Sequence, residues 1–450
     1  MRSFPLLTHR STQDVLAWRH QTPISVAQFL ADVWHLAQAF PAGGHVLNAC
    51  TDRYRFAVGM AAALLADKIS LLPPTLMPEM VHQLQDFAPD VFCLTDQPQS
   101  IALPQVSWSA AVACGTRVEG REIPLIPASR TAAIMFTSGS TGMPLVHRKT
   151  WGSLVVSARA AASCLGLQDG RHHSIVATVP PQHMYGLEFS VLIALQSSAA
   201  ISAAHPFYPA DICSTLAATP RPRMLVTTPT HLKVLLASGL PIPQLDLMLS
   251  ATAPMPPQLA LEAEAMLKVP LFEIYGSTET GQIASRRTTD STEWTLFPGI
   301  TLRAADGRVW ASGAHVEAAT ALADELELID QAHFLLHGRT ADLVNIAGKR
   351  SSLGYLNHQL NAIPGVIDGA FFMPDDSEGK VTRLMAFAVA PGLEVPSLLT
   401  ALRERIDALF IPRPLVLLES LPRNSSGKLP RSTLEALARE HQRKGAVHAG

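Results

Sequence analysis

The stretch Met135-Phe-Thr-Ser-Gly-Ser-Thr-Gly-Met-Pro144 constrains this chain more than any other. An apolar run over residues 132–136 has the length and composition of a buried strand, and it breaks off into hydroxyls and glycines. Gly139 and Gly142 permit positive φ there, so that backbone amides and the hydroxyls of Thr137, Ser138, Ser140 and Thr141 can converge on an anion. Taken alone, such a loop is more commonly an ordinary Ser/Gly turn. No G-x-x-x-x-G-K-[ST] occurs in the chain, which disfavours a P-loop NTPase or kinase.

A buried strand needs a sheet and layers to cover it. The chain has 450 residues, 48% of them hydrophobic, enough for about two or three domains and a large core. Only 16% are charged, the formal net charge is −2, and both signs are interspersed, which argues against a nucleic-acid footprint. Cys50, Cys93, Cys114, Cys164 and Cys213 show no C-x-x-C pairing and no zinc spacing with histidines. They read as reduced core residues of a cytoplasmic protein. The apolar runs are short or interrupted by Glu188 and Gln196, so no membrane insertion is expected.

The first 130 residues alternate helix and strand. Ser25-Val-Ala-Gln28 resembles a capping box opening a helix through Ala39. Strand 45–48, helix 53–66, strand 69–72, helix 78–87 and strand 90–94 follow, a βαβ rhythm that implies a largely parallel sheet covered on both faces. Residues 124–130, with Pro124 and Pro127, read as a linker. Beyond the hydroxyl loop we expect helix 151–165, strand 174–179, strand 224–228, helix 229–238, strand 245–250 and a strand entering residues 272–279. Strand 384–389, helix 397–410 and strand 415–418 lie towards the end.

Three further stretches stand in order behind the loop: Tyr275-Gly-Ser-Thr-Glu279, Gly338-Arg-Thr-Ala-Asp-Leu-Val-Asn-Ile-Ala-Gly-Lys-Arg350 and Leu421-Pro-Arg-Asn-Ser-Ser-Gly-Lys-Leu-Pro-Arg431. With these four motifs spread over residues 137–431, the chain resembles the adenylate-forming acyl and aryl acid ligases. The resemblance implies an α/β fold: a large N-terminal domain, residues 1–338, with mainly parallel sheets and covering helices, and a small mobile α+β lid, residues 339–450. It also implies ATP and Mg²⁺.

By the same resemblance, Thr137, Ser138, Gly139, Ser140, Thr141 and Gly142 cradle phosphate. Thr252, Ala253 and Pro254 line the nucleotide, small residues standing where the family usually has glycines, and Ser250 and Ala251 face the acid. Tyr275 stacks on adenine beside Glu273 and Gly276, Thr278 bonds the α-phosphate, and Glu279 meets Mg²⁺, a hard cation suited to carboxylate and phosphate oxygens. Asp324, fifteen residues before Arg339, offers two acceptor oxygens to the ribose diol. An exposed acidic hairpin is the rival reading of Asp324, given Glu325, Glu327 and Asp330 beside it. Arg339 and Arg350 complete the nucleotide site, and His183, Tyr185 and Gly186 wall the acid pocket. Lys428 is the implied catalytic lysine, and Gly348 lines the thiol tunnel.

Two positions depart from the family. Leu145 follows Pro144 where a lysine is usual, leaving Arg148 or Lys149 to supply a cation for phosphate, and Ala341 stands at the expected hinge, with Asp342 next to it. The implied reaction activates a carboxylate as acyl-adenylate and transfers it to a thiol, which fits the absence of a G-x-S-x-G nucleophile. The hydroxyl loop followed by His147-Arg-Lys-Thr-Trp151 is similar to ligases of aryl polyene and xanthomonadin pigment pathways. That narrower similarity implies a small aromatic carboxylic acid of hydroxybenzoate type and a holo acyl carrier protein as acceptor. Coenzyme A is the alternative acceptor, and a non-catalytic protein that binds nucleotide or carrier is the rival class. Arg403, Arg405, Arg413, Arg423, Arg431 and Arg439 are the candidate carrier-docking residues.

Overall fold

The computed structural model describes residues 2–113, 122–137, 145–339, 343–346, 349–374, 383–424 and 428–447. Two sheets organise the larger part of the chain. The first has six strands in the order Leu145–Thr150, Thr131–Thr137, Ile69–Leu72, His45–Asn48, Phe92–Thr95, Gln105–Ser107. Every neighbouring pair is parallel except the first. The helices expected between these strands form where local chemistry starts them. Ser25 caps Val26–Ala39 by accepting from the Gln28 amide at 3.2 Å, and Asp52 caps Arg53–Leu65 by accepting from the Arg55 amide at 2.9 Å. Each cap satisfies a donor that the first helical turn leaves unpaired.

The second sheet has eleven strands. At its centre, Leu271–Ser277, Leu247–Ser250, Arg223–Thr227, Ser174–Ala177, Ala200–Ser202 and Val15–Arg19 run parallel to one another in that order. The strands Ser174–Ala177 and Leu247–Ser250 are buried throughout, as a sheet covered on both faces requires. Parallel strands put their carboxyl ends on one edge, the edge at which open α/β sheets hold ligands. That edge carries the turns at 178–186, 251–255 and 277–281.

Two expectations are corrected. Residues 124–130 are no free linker: Leu125–Pro127 pairs antiparallel with Ser3–Pro5. The helix expected over 397–410 spans Val395–Arg403, and a separate 3-10 turn occupies Ala408–Phe410, started by the Asp407 carboxylate accepting from the Leu409 amide at 3.1 Å. The first signal is not local, since it depends on a strand more than a hundred residues away, whereas the second is the local Asp407 cap.

Beyond Val344 the chain builds its own core. A three-stranded sheet, Asp368–Phe372, Met385–Val389 and Leu415–Leu417, packs with the helices Leu353–Asn361 and Val395–Arg403 around Leu356, Leu360, Phe371, Leu398 and Leu402. Its opposite face meets the helix Arg431–Val447 through Phe372, Phe387 and Leu434. These residues share no cluster with the apolar residues up to Phe334. Among the described residues, no helix is long and apolar enough to cross a membrane.

Candidate active site

The strand Leu271–Ser277 delivers the second motif to the ligand edge and turns sharply back into Gly281–Arg287. Gly276 is required there, because a Cβ at that position would overlap the Gly281 carbonyl oxygen. The turn leaves Thr278 half-buried and the Glu279 side chain 41% exposed. Burial alone would raise the Glu279 carboxyl, but hydrogen bonds from its own amide and the Ser277 hydroxyl, with the charges of His147 and Lys149, bring it below the usual carboxylate value. Glu279 is therefore an ionised oxygen donor near neutral pH.

Thr137 reaches this carboxylate through His147. The Thr137 hydroxyl is 2.9 Å from His147 Nε2, which lies 3.6 Å from Glu279 Oε1. The sequence reading assigned His147 no such role. The clue was the twofold alternation of Leu145–Thr150, which puts Leu145, His147 and Lys149 on one face and Arg148 on the other. Ser138, Gly139, Ser140, Thr141 and Gly142, expected to cradle phosphate, lie outside the described residues.

The aromatic ring of Tyr275 packs at 5.6 Å from both Trp294 and Phe334, and its hydroxyl donates to Asp324 Oδ2 at 2.7 Å. Asp324 does stand in an acidic hairpin, Asp324–Leu328 with His333–Arg339, and the interval to Arg339 is a register: the two residues are paired across the ladder. Arg350 falls in the strand Lys349–Ser352, while Ala341, Asp342 and Gly348 lie outside the described residues. Glu273 departs from its expected role as a nucleotide contact. Its carboxylate is buried, with Oε1 accepting from the Met255 amide at 2.8 Å and Oε2 from Arg286 Nε at 2.8 Å and the Thr288 hydroxyl at 3.1 Å. It fastens the 251–255 turn to the sheet. In that turn Thr252 has φ 77°, a left-handed conformation costly for a β-branched residue, where a glycine would be unstrained. Ala253 is half-buried and Pro254 exposed beside it.

The residues expected on the acid side gather at the ends of the neighbouring strands. Tyr185 donates to the Thr227 carbonyl at 3.2 Å, and Ser250, the strand neighbour of Thr227, is fully buried with no hydrogen-bond partner for its Oγ among the described residues. Ala251 follows it, buried. A Cβ on Gly186 would overlap the Pro180 carbonyl oxygen, so the entry to the helix Met184–Leu187 needs glycine. His183 is pushed below the usual imidazole range by burial and, secondarily, by the positive charge of Lys428. The charge of the last motif's lysine is thus felt at the acid-side histidine. Lys428 is exposed; its amide donates to Asn424 Oδ1 at 2.8 Å, and Asn424 N donates back to its carbonyl at 2.8 Å.

The expected arginine spread is divided. Arg403, Arg405 and Arg413 are exposed, whereas Arg423 makes a two-pronged pair with Asp368 at 2.7 Å and Arg431 donates to the Met373 carbonyl. Among the described residues no three His, Cys, Asp or Glu side chains converge as a metal cage. A single ionised, accessible Glu279 fits a cation that brings most of its ligands as phosphate oxygens.

Residues 19–312 match the sequence profile described as AMP-binding enzyme. The chain is 30% identical to the 4-coumarate–CoA ligase of Halorhodospira halophila over 66% of its own length and 75% of that protein, and 26% identical to the 2-succinylbenzoate–CoA ligase of Bacillus mycoides over 85% and 84%. Among solved structures it is similar to o-succinylbenzoate CoA synthetase (MenE) from Bacillus subtilis in complex with the acyl-adenylate intermediate OSB-AMP. That likeness has a TM-score of 0.82 at 19% identity and covers 96% of this chain and 98% of the other, a likeness of fold.

Proposed function

The chain belongs to the AMP-binding enzymes, the adenylate-forming ligases, and from that membership we propose that it joins a small aromatic carboxylic acid to a thiol through an acyl-adenylate. The observation that carries the reading is the turn after Leu271–Ser277, which sets Thr278 beside an accessible, ionised Glu279 while the Tyr275 hydroxyl, on the same strand, donates to Asp324 Oδ2 at 2.7 Å. A carboxylate is a poor electrophile with a poor leaving group. One of its oxygens attacks the α-phosphorus of ATP, the bond to pyrophosphate breaks, and the mixed anhydride with AMP forms. Lys428 offsets the charge where the two anions meet, Thr278 donates to the α-phosphate, and Tyr275 and Asp324 hold the nucleoside, so that alignment and electrostatics supply the acceleration. Glu279 is the residue that would hold Mg²⁺, which would offset the phosphate charge. A thiol sulfur then attacks the acyl carbon, the carbon–oxygen bond to AMP breaks, and AMP leaves.

We assign residues 1–338 to the nucleotide and acid domain and 339–450 to a lid that carries Lys428 in and the Gly348 loop in its place, in a cytoplasmic enzyme. The unpartnered, buried Ser250 hydroxyl beside Tyr185 supports a polar substituent on the acid's ring. For the acceptor, the names of the relatives favour coenzyme A. The exposed Arg403, Arg405 and Arg413 favour the second reading, an acidic acyl carrier protein, because dispersed cations suit a protein surface better than one nucleotide.

The test is pyrophosphate release with 3- and 4-hydroxybenzoate, 4-coumarate, anthranilate, octanoate and palmitate, followed by kcat/KM for coenzyme A and for holo carrier protein. Turnover of a hydroxybenzoate or coumarate above both fatty acids is expected. Equal or better use of palmitate overturns the aromatic assignment, and absence of pyrophosphate with every acid overturns adenylation.

A further inference from the structure

Lys149 is one of the two residues, with Arg148, expected from the sequence to supply a cation for phosphate, yet its ammonium points elsewhere. It is 8% exposed, and Nζ donates to the main-chain carbonyl of Glu279 at 2.8 Å. On the same strand face, Leu145 is 55% exposed, so the apolar residue takes the open end and the lysine the buried one. A side chain that neutralises phosphate directly must present its charge to the open ligand edge; this one lies beneath the turn that carries Glu279.

The turn is fastened from a second side. Glu188, 2% exposed, accepts from the Ser157 hydroxyl at 2.8 Å and from the Gln282 amide at 3.4 Å. Its Oε1 lies 2.9 Å from where a Cβ on Gly281 would sit, so glycine alone lets the turn close over it. Glu188, Glu279 and Glu317 are the carboxylates whose charge reaches Lys149. Glu317 in turn accepts from the hydroxyl of Thr150, the next residue along. A buried ammonium requires such surroundings, because removing it from water is costly unless donors are met and countercharge is near. Glu188 also follows His183 and Tyr185 closely in the chain, which links the acid side to the underside of the Glu279 turn.

We infer that Lys149 is a positioning residue that holds the Glu279 main chain from below, so that the Glu279 carboxylate stays presented towards His147, Thr137 and the metal-bound phosphates. The inference rests on the proposed role of Glu279 towards Mg²⁺. It turns the missing lysine at position 145 into a different solution: the cation acts through the backbone of the metal-binding turn and not on phosphate itself.

The experiment uses the full chain with α,β-methylene ATP, whose carbon bridge between the α- and β-phosphorus does not break to release pyrophosphate, and follows Mn²⁺ binding by electron paramagnetic resonance. Lys149→Met removes the donor and the charge at nearly constant length, and Lys149→Arg keeps both. Loss of a group that orients a metal ligand typically weakens the metal by about tenfold or more. We expect that loss in K149M, with AMP affinity in the absence of metal within about twofold of the wild type, and partial recovery in K149R. A Mn²⁺ affinity of folded K149M within about twofold of wild type overturns the inference, as does an equal fall in metal-free AMP affinity, the mark of a purely structural role. Should K149M not fold, Glu188→Gln removes the countercharge while keeping an acceptor oxygen, and an unchanged Mn²⁺ affinity there overturns the inference equally. A wild type that binds the nucleotide without Mn²⁺ refutes the proposed role of Glu279 and the inference with it, whereas normal wild-type binding with an indifferent K149M refutes the inference alone.

Discussion

Replacing Tyr275 by Phe deletes one hydroxyl from a ring whose packing stays available. The ring keeps its contacts at 5.6 Å with Trp294 and Phe334, and the bond lost is the 2.7 Å donation to Asp324 Oδ2. Hydrogen bonds to charged groups contribute about 1.5–3 kcal/mol, and because half-buried Asp324 can be rehydrated at the rim, the lower figure applies. If that bond sets the carboxylate for the ribose hydroxyls, AMP affinity falls by roughly tenfold, the equivalent of about 1.4 kcal/mol. Titration calorimetry with AMP and with 2′,3′-dideoxy-AMP separates the causes. The dideoxy nucleotide has no diol for Asp324 to receive, so wild type and Tyr275→Phe should bind it alike. Adding Asp324→Asn closes a double-mutant cycle, in which the Tyr275 change should cost little once the carboxylate is gone. Equal losses for AMP and its dideoxy analogue would refute the reasoning, because the hydroxyl would then act on the base or on the pocket and not through Asp324.

Lys428→Ala should lower pyrophosphate release by about 10²-fold, the scale of one preorganised electrostatic contact, while thioester formation from a supplied acyl-adenylate survives; equal loss in both half-reactions of a folded variant contradicts the assignment. The same substitution should raise the His183 pKa, read by NMR, without restoring it to the usual imidazole value, since burial is the larger cause and remains. His9, His205 and His315 are each pushed down to about 4 by burial, so the unfolded chain takes up their protons first as pH falls below 6.5. Stability is therefore highest above pH 6.5 and is lost as pH falls towards 4. Between pH 6.5 and 5, His9→Gln should lose roughly 2 kcal/mol less than wild type in urea unfolding, and identical losses would remove His9 from the account.

Much of the fold was legible because its signals are local. Ser25 and Asp52 begin helices with their own side chains, and the apolar runs at 45–48, 69–72 and 174–177 are strands that a covered parallel sheet buries on both faces. The hairpin of Asp324 and Arg339 was present in the numbers as a spacing, although its register was not. The strand Leu125–Pro127 was missed because a three-residue edge strand has no signal apart from its partner at Ser3–Pro5.

The sequence by itself determined the chemistry of the parts: hydroxyls and glycines after a buried strand, a carboxylate at Glu279, an acceptor pair at Asp324 and a lysine at 428, in an order that identifies an adenylate-forming ligase. Only the tertiary structure decided which of those charges face the ligand edge. Glu273 reads in sequence as one more carboxylate of the second motif, but folding engages both its oxygens with Met255, Arg286 and Thr288. Lys149 reads as a spare cation, but its strand turns it beneath Glu279. The charge of Lys428 is felt at His183, more than two hundred residues away in the chain. Residue type and spacing encode what a side chain can do. The direction in which it does so is set by strand register, by the face a neighbouring layer covers and by the cost of burying an unpaired charge, and these act only once distant segments have packed.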